Sequence, residues 1–415
     1  MAGERDVADR IRRREESADF VGWDPAAHVL DPVHRRHLGE LEEELKDLWN
    51  LGRNIVLMWC PGERGIDALF IPHYAIADFA ATTVHDRGND VPGRDFIGEI
   101  LAGSKLVGAA KLRRVAELVK FAPSTINLSF APGRDLGLDV IDRTIKRYSI
   151  SFVGDRAVAL FDIVGFSLYS PLEQVTQLNS LSYSVNAAHN KMLAKKIDIS
   201  FARTTTGDGF YIWNRDRSIQ ANVNLYHFMH LVLADNAVAR RKSKSNLTPL
   251  LRTSFHVGGH YEFYQSESLS PTIFSYIVGD VTIELARLID KAQPGQVVVG
   301  DFQVPMADAE LGRTRRVDTV QFIEKTQETL ENLQGLELSG DGINAIKCYL
   351  TGGRRTDDRF TIKRYLITDK HGFTRHAYNA KINIYREHAE PIFLGVQDKD
   401  LHHFGTADEV VTTTD

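Results

Sequence analysis

Two short segments carry the residues best suited to chemistry. Phe161-Asp162-Ile163-Val164-Gly165-Phe166-Ser167 and Thr206-Gly207-Asp208-Gly209-Phe210-Tyr211 each set one aspartate at the end of an apolar, β-prone run, with glycine close by. Two such carboxylates brought together hold a hard divalent cation, and a nearby glycine lets backbone N–H groups close on a phosphate. The pair therefore points to chemistry on a nucleoside triphosphate rather than on a sugar or a peptide. Taken singly, each aspartate reads as an ordinary turn residue at a strand end.

The elements around these segments are legible from periodicity. Ser149 to Asp162 reads as one long strand or a strand pair ending in the first aspartate. Pro171 to Lys195 reads as a helix with Leu172, Val175, Leu178, Leu181, Val185, Ala188 and Met192 in one apolar stripe. Ile197 to Thr206 and Phe210 to Trp213 read as strands joined at Gly207-Asp208-Gly209, followed by a helix over Ser218 to Arg240. Leu250 to Tyr264 is strand-rich, Asp280 to Lys291 is helical, and Gln296 to Val299 is a buried strand. The order β–α–β–β–α–β predicts an α+β fold with a ferredoxin-like, split βαβ core. A mainly helical insertion is expected over about 301–358, then a hairpin from Phe360 to Ile384 turning at Asp369-Lys370-His371-Gly372, and a flexible tail over 399–415. His402 and His403 fall in that tail and read as exposed.

Upstream, residues 1–30 are polar and charge-dense and are expected to stay disordered. Residues 31–147 read as an N-terminal α/β accessory domain. It opens on a helix with Leu38, Leu41, Leu45, Leu48 and Leu51 at three- and four-residue steps, then strands over Asn54 to Cys60 and Ile66 to Ile71. Helices are expected near Asp95 to Leu101 and Lys105 to Phe121. The second domain spans 148–398.

Composition narrows the function classes. The chain has 415 residues, 43% hydrophobic and 25% charged, as in an ordinary globular protein. A net charge of −5 argues against a nucleic-acid partner. Two cysteines, Cys60 and Cys348, form no disulfide framework and read as buried thiols. With no apolar stretch long enough to span a membrane and no signal-peptide core at the start, a cytoplasmic protein without membrane partners is expected.

Three further pieces accompany the aspartates: Arg252-Thr253-Ser254-Phe255-His256-Val257-Gly258, Val278-Gly279-Asp280 leading to Ala286-Arg287-Leu288, and Gln293-Pro294-Gly295-Gln296-Val297-Val298-Val299. In this order and spacing the set resembles the class III nucleotidyl cyclase homology domain of adenylyl and guanylyl cyclases, over roughly Ser149 to Ile384. The resemblance implies two divalent cations, Mn²⁺ or Mg²⁺, held by Asp162 and Asp208 with the backbone of Ile163. One ion would activate a ribose 3′-hydroxyl for in-line attack on the α-phosphorus, and the other would hold the β- and γ-phosphates, giving a cyclic nucleotide and pyrophosphate. Gly165, Phe166 and Ser167 would cradle phosphate oxygens, Arg287 would meet transition-state charge, and Lys370 matches a phosphate-binding lysine. Family members act as head-to-tail dimers, so the resemblance also implies a homodimer with two sites, and a downstream cyclic-nucleotide effector.

The departures lie in the base-reading half. Thr204 stands where adenylyl cyclases carry lysine and guanylyl cyclases glutamate, and Tyr276 stands where the family carries aspartate or cysteine. Ile283 replaces a transition-state asparagine four residues before Arg287. A threonine hydroxyl and a tyrosine ring suit a pyrimidine, UTP or CTP, and resemble the pyrimidine cyclases of bacterial antiviral defence. Two other readings stay open: an adenylate or guanylate cyclase with an atypical base pocket, and a degenerate cyclase fold that binds nucleotide as a regulatory module. Thr204 and Tyr276 also read as plain sheet residues, Arg287 as a surface helix residue, Lys370 as a solvated turn residue, and His256 as a hydrogen-bonded core histidine.

Overall fold

The structure, a computed structural model, describes residues 31–86, 88–197, 199–243, 247–266, 273–308, 312–352, 361–369, 372–401 and 404–411. The arm at 1–30, and Lys370, His402 and His403, lie outside the described residues. The chain divides into two units, Met1–Gly154 with His260–Val278, and Asp155–Gly259 with Gly279–Asp415. Among the described residues no helix is long and apolar enough to cross a membrane.

The first unit begins with α1 (Pro32–Trp49), capped by the Asp31 carboxylate, which accepts from the N–H groups of Val33 and His34. Strands β1 (Asn54–Gly62) and β2 (Gly65–Pro72) follow, then α2 (Ala75–Ala80), β3 (Thr83–Asp86), β4 (Asn89–Pro92), α3 (Gly93–Ala102), α4 (Ala109–Val119), β5 (Ser124–Asn127) and α5 (Leu138–Lys146). The sheet order is β1-β2-β5. β1 is buried almost throughout because both of its faces are covered. Val56 and Trp59 pack with Leu38, Leu41 and Leu45 of α1 and Ile141 and Ile145 of α5. Leu57, Met58 and Cys60 pack with residues of α3 and α4. Leu51, expected to continue the α1 stripe, lies beyond the helix and is 83% exposed, because Asn50 ends α1 in the left-handed region.

The second unit is built on the part of β6 (Ile150–Ile163) from Asp155 on, α6 (Pro171–Ala194), β7 (Phe201–Thr205), β8 (Gly209–Asn214), α7 (Ile219–Lys242) and the part of β9 (Leu251–Ser266) up to Gly259. β10 (Ile273–Val278) falls in the first unit, and the second continues with α8 (Asp280–Lys291), β11 (Val297–Gly300), β12 (Gln303–Asp308), β13 (Arg313–Asp318), α9 (Thr319–Thr329), β14 (Glu337–Leu338) and β15 (Asp341–Leu350). β16 (Thr361–Thr368), β17 (Thr374–Arg386), β18 (Ile392–Leu394) and β19 (Gly405–Val411) close the chain. The main sheet runs β14-β15-β17-β11-β9-β6-β8-β7, with β11 parallel to β9. Within it, β6, β7, β8 and β9 are the first, second, third and fourth strands of a β–α–β–β–α–β run, and they lie side by side in the order fourth, first, third, second. The turn of α8 into β11 is what lets β11 join β9 in parallel, since a parallel neighbour needs a crossover.

The period of two sorts β6 onto two faces. Ala157, Ala159, Phe161 and Ile163 enter the main core with Leu181, Val185, Ala188 and Met192 of α6 and the nearly all-buried α7. Leu172 and Val175, at the start of the α6 stripe, are 77% and 56% exposed. Val158, Leu160 and Asp162 point to the opposite face.

Two expectations are corrected. The stretch 301–358, expected mainly helical, holds one α-helix, α9, and a short 3₁₀ helix over Leu330–Leu333 among its described residues, with strands β12, β13, β14 and β15 around them. In β15 Ile346, Cys348 and Leu350 are buried and alternate with exposed Lys347 and Tyr349, which is strand periodicity. The tail expected to be flexible instead forms β19, paired antiparallel with β16 from Leu366↔Gly405 to Thr361↔Val411. The β16 edge is open there, and a strand satisfies its backbone groups. The hairpin expected over Phe360 to Ile384 is present as β16 and β17, with Thr368 opposite Thr374.

Candidate active site

β6 and β8 bring the two aspartates together. Asp162 stands opposite Gly209 in the antiparallel register, and the N–H of Ile163 donates to the Asp208 carbonyl at 3.0 Å. A Cβ at Gly209 would sit 1.9 Å from the Phe161 carbonyl oxygen and 3.1 Å from the Asp162 Cα, so only glycine lets the strands close here. Gly207, at φ +99°, makes the turn that precedes Asp208. The Asp208 carboxylate is near enough to raise the Asp162 carboxyl.

Their environments differ. Asp162 is 6% exposed, while Asp208 is half-buried and accepts from the Thr206 hydroxyl at 3.1 Å. Burial raises the Asp162 carboxyl above its ordinary value. Arg252 opposes that rise, and the neighbouring Asp208 adds to it. Arg252 Nε donates to Asp162 Oδ2 at 2.5 Å, and its NH1 donates to the Ala292 carbonyl at 3.4 Å. A guanidinium thus occupies the cation position beside a buried carboxylate that has a second carboxylate next to it. Two neighbouring carboxylates, one of them already bonded to a cationic group, are a donor set that fits a divalent ion.

α8 covers the face that carries Asp162. The Tyr211 hydroxyl donates to the Thr282 carbonyl at 3.2 Å, and the Ser254 hydroxyl to the Leu285 carbonyl at 3.2 Å. Thr204 is half-buried and directly opposite Tyr211, and Tyr211 is opposite Leu160, so Thr204 shares the Asp162 face. Gly165, at φ +68°, starts the short turn of Phe166-Ser167-Leu168 just after β6. Among the described residues the N–H groups of Gly165, Phe166 and Ser167 meet no backbone acceptor, while Leu168 N–H donates to the Gly165 carbonyl at 2.9 Å.

Arg287 lies on α8 but is not brought to the aspartates. Its Nε is 3.5 Å from Asp369 Oδ2, and Asp369 is nearly buried. The same Asp369 oxygen accepts from Arg375 at 2.9 Å, and Arg375 Nε donates to Glu284 at 2.5 Å. Ile283 is 50% exposed. Tyr276 falls in the first unit, on β10, where its ring stacks on Phe263 across the β9–β10 hairpin with centroids 5.6 Å apart.

His256 differs from expectation: its Nδ1 finds no partner among the described residues, and its ring is wedged so that a Cβ at Gly300 would lie 2.2 Å from that nitrogen. Arg252, present in the sequence motif but given no role there, and Asp369 are the charged groups that sequence reasoning passed over. The signal available was Arg252 on the same strand parity as Ser254 and His256, opposite the core-facing Phe255 and Val257. A separate trio, Asp341, Glu387 and His388, groups at the β14–β15 turn, but the Asp341 carboxylate already accepts from the N–H groups of His388 and Ala389.

No family model matches the chain, and no curated protein matches it. Among solved structures it is similar to the guanylate cyclase domain of RhGC from Catenaria anguillulae in complex with GTP. That likeness is at 10% identity and a TM-score of 0.34, covering 57% of this chain and 99% of that one. It is also similar to the adenylyl cyclase CyaB from P. aeruginosa, at 12% identity and a TM-score of 0.34, covering 56% and 95%. The guanylyl cyclase Cya2 stands at 12% identity and a TM-score of 0.31, covering 55% and 93%. Overlaps of this size leave the chemistry to be argued from the residues themselves.

Proposed function

We propose that the chain is a nucleotidyl cyclase of the class III type, with a ferredoxin-like core in its second unit and the first unit as an accessory domain. One observation carries the reading: a glycine-enforced approach of β6 and β8 sets Asp162 and Asp208 side by side, with a cation already drawn to the buried member of the pair. Divalent ions held there by Asp162, Asp208 and the Ile163 carbonyl would supply charge for the triphosphate and the ribose 3′-hydroxyl.

The chain's own groups divide the remaining work. The N–H groups of Gly165, Phe166 and Ser167, which meet no backbone acceptor among the described residues, would donate to phosphate oxygens as the backbone of a phosphate cradle does. Thr204, on the Asp162 face, offers a hydroxyl that donates or accepts at a base edge. The roles of Tyr276 in base choice and of UTP or CTP as preferred substrates rest on the resemblance of the sequence motifs alone. Arg287 is the cationic group for transition-state charge, once it leaves Asp369. A homodimer is supported by Leu168, Leu172 and Val175, which leave an apolar patch at 88%, 77% and 56% exposure at the start of α6. Lys370 would add a phosphate contact, and the cyclic product would act through a downstream effector in antiviral signalling.

A second reading rests on the Arg287–Asp369 pair: a chain whose arginine stays paired binds nucleotide without turnover. The purified protein incubated with Mn²⁺ and each of ATP, GTP, CTP and UTP, with products identified by mass spectrometry, separates the two. A single cyclic nucleotide with pyrophosphate, lost in Asp162→Ala, supports the enzyme. Metal-dependent nucleotide binding with no product supports the regulatory module. Product formation that survives Asp162→Ala removes the site assignment.

A further inference from the structure

The first unit contains a cavity of about 380 Å³ that shares no residue with the paired-aspartate site. Its walls are aromatic: Trp49 at the end of α1, Tyr148 before β6, and Phe263 and Tyr264 from β9. Trp49 and Tyr148 meet edge to face with ring centroids 5.9 Å apart and an interplanar angle of 78°. Phe263 is braced from behind by the stacked Tyr276 ring. A volume of this size, walled by rings with a few polar groups, is that of a small-molecule site.

The rim carries a second, independent observation. Asn50, Leu51 and Gly52 follow one another at φ +49°, +57° and +89°. Asn50 is an ordinary left-handed helix cap, but a leucine in that region is strained, and Leu51 recovers little by packing because it is 83% exposed. The strained turn leaves the Leu51 side chain in the lining of the aromatic cavity.

The polar lining states the ligand's character. Arg147 is already matched by Glu42, Nη1 to Oε1 at 2.9 Å, so its charge is not left over for a phosphate. Burial raises the Tyr148 phenol well above its ordinary value and keeps it a neutral hydroxyl. We propose that this cavity binds a planar heteroaromatic ring of nucleobase size, sandwiched by Trp49 and Phe263 with Leu51 closing on it. This gives the first unit a ligand of its own, whether or not the second unit is a cyclase.

Isothermal titration of the full chain in EDTA, with adenine, guanine, cytosine and uracil, their nucleosides and their 5′-monophosphates as probes, tests it. At least one base is expected to saturate one site per chain with a Kd below about 1 mM. Its monophosphate is expected to bind no tighter, because Arg147 is spent. Phe263→Ala and Trp49→Ala are each expected to weaken binding about tenfold, the usual loss for a stacking ring. Phe263→Leu, which keeps the apolar volume, provides the reading if an alanine variant does not fold. Asp208→Asn is expected to leave this binding unchanged. The proposal is overturned if no base binds below that limit, or if binding survives both Phe263 variants and Trp49→Ala. It is equally overturned if Asp208→Asn abolishes binding, or if a monophosphate binds more than about tenfold tighter than its base.

Discussion

Replacing Arg252 by methionine isolates the electrostatics of the aspartate pair. Asp162 and Arg252 have side chains 9% and 28% exposed, joined at 2.5 Å, and Asp208 adds a second negative charge beside them. Breaking a buried pair by removing one partner costs about 3–5 kcal/mol, and the solvent that reaches the guanidinium puts this pair at about 2–3 kcal/mol. A divalent cation changes the comparison. In the wild type it must displace Arg252 from Asp162, whereas in Arg252→Met it enters a site of two unopposed carboxylates. At roughly a hundredfold excess over Kd a cation stabilises by about 2.7 kcal/mol. In EDTA the variant is therefore expected to be about 2–3 kcal/mol less stable, and in saturating Mn²⁺ the gap should close to under about 1 kcal/mol. Amide hydrogen exchange along β6 and β8 reads this opening free energy in the second unit alone. A gap that stays the same in EDTA and Mn²⁺ would refute the idea that Arg252 and the cation compete for Asp162. The double variant Asp162→Asn/Arg252→Met should show no Mn²⁺ response and less destabilisation than Arg252→Met in EDTA.

Three other outcomes follow from the same geometry. Gly209→Ala places a Cβ 1.9 Å from the Phe161 carbonyl oxygen, so β6 and β8 must part; a loss of about 3 kcal/mol is expected by urea unfolding, and an unchanged midpoint would show that the strands do not close as described. Burial holds His227 and His256 down at about 4 and His230 well below the ordinary imidazole value. Below about pH 6.5 the unfolded chain takes up protons that these folded imidazoles refuse, so stability is full above that pH and falls as pH drops towards 4. At pH 5.5 His227 and His256 together should cost about 3 kcal/mol; His230→Leu, which removes two unpartnered ring nitrogens from a fully buried position, should flatten the pH profile, and a steeper profile would count against this account. Leu51→Gly relieves a left-handed leucine whose side chain packs on little, and should raise stability by about 0.5–1 kcal/mol in thermal unfolding; a lowered midpoint would show that Leu51 is held by contacts rather than strained.

The sequence alone determined what local pattern and residue type control. The period of two carried β6 to its end at Asp162, the 3.6-residue period marked α6 and α8, and glycines on both sides of Asp208 announced a turn. Those signals set β7 against β8, because strands joined by so short a turn have few registers open to them, whereas β6, with α6 and β7 between it and β8 in the chain, reaches β8 only through a tertiary pairing. Tertiary structure decided the rest, through contacts between residues distant in sequence. Asp162 and Arg252 are 90 residues apart, and nothing local says that β9 lies against β6 in a register that joins them. Arg287 is tied to Asp369 by an ion pair between a helix and a distant strand end, and Tyr276 to Phe263 by a strand pairing, neither of which helix and strand periodicity encode. The same holds for β15 and β19, whose sequences are ambiguous alone and become strands because the edges of β17 and β16 offer unpaired backbone groups to satisfy.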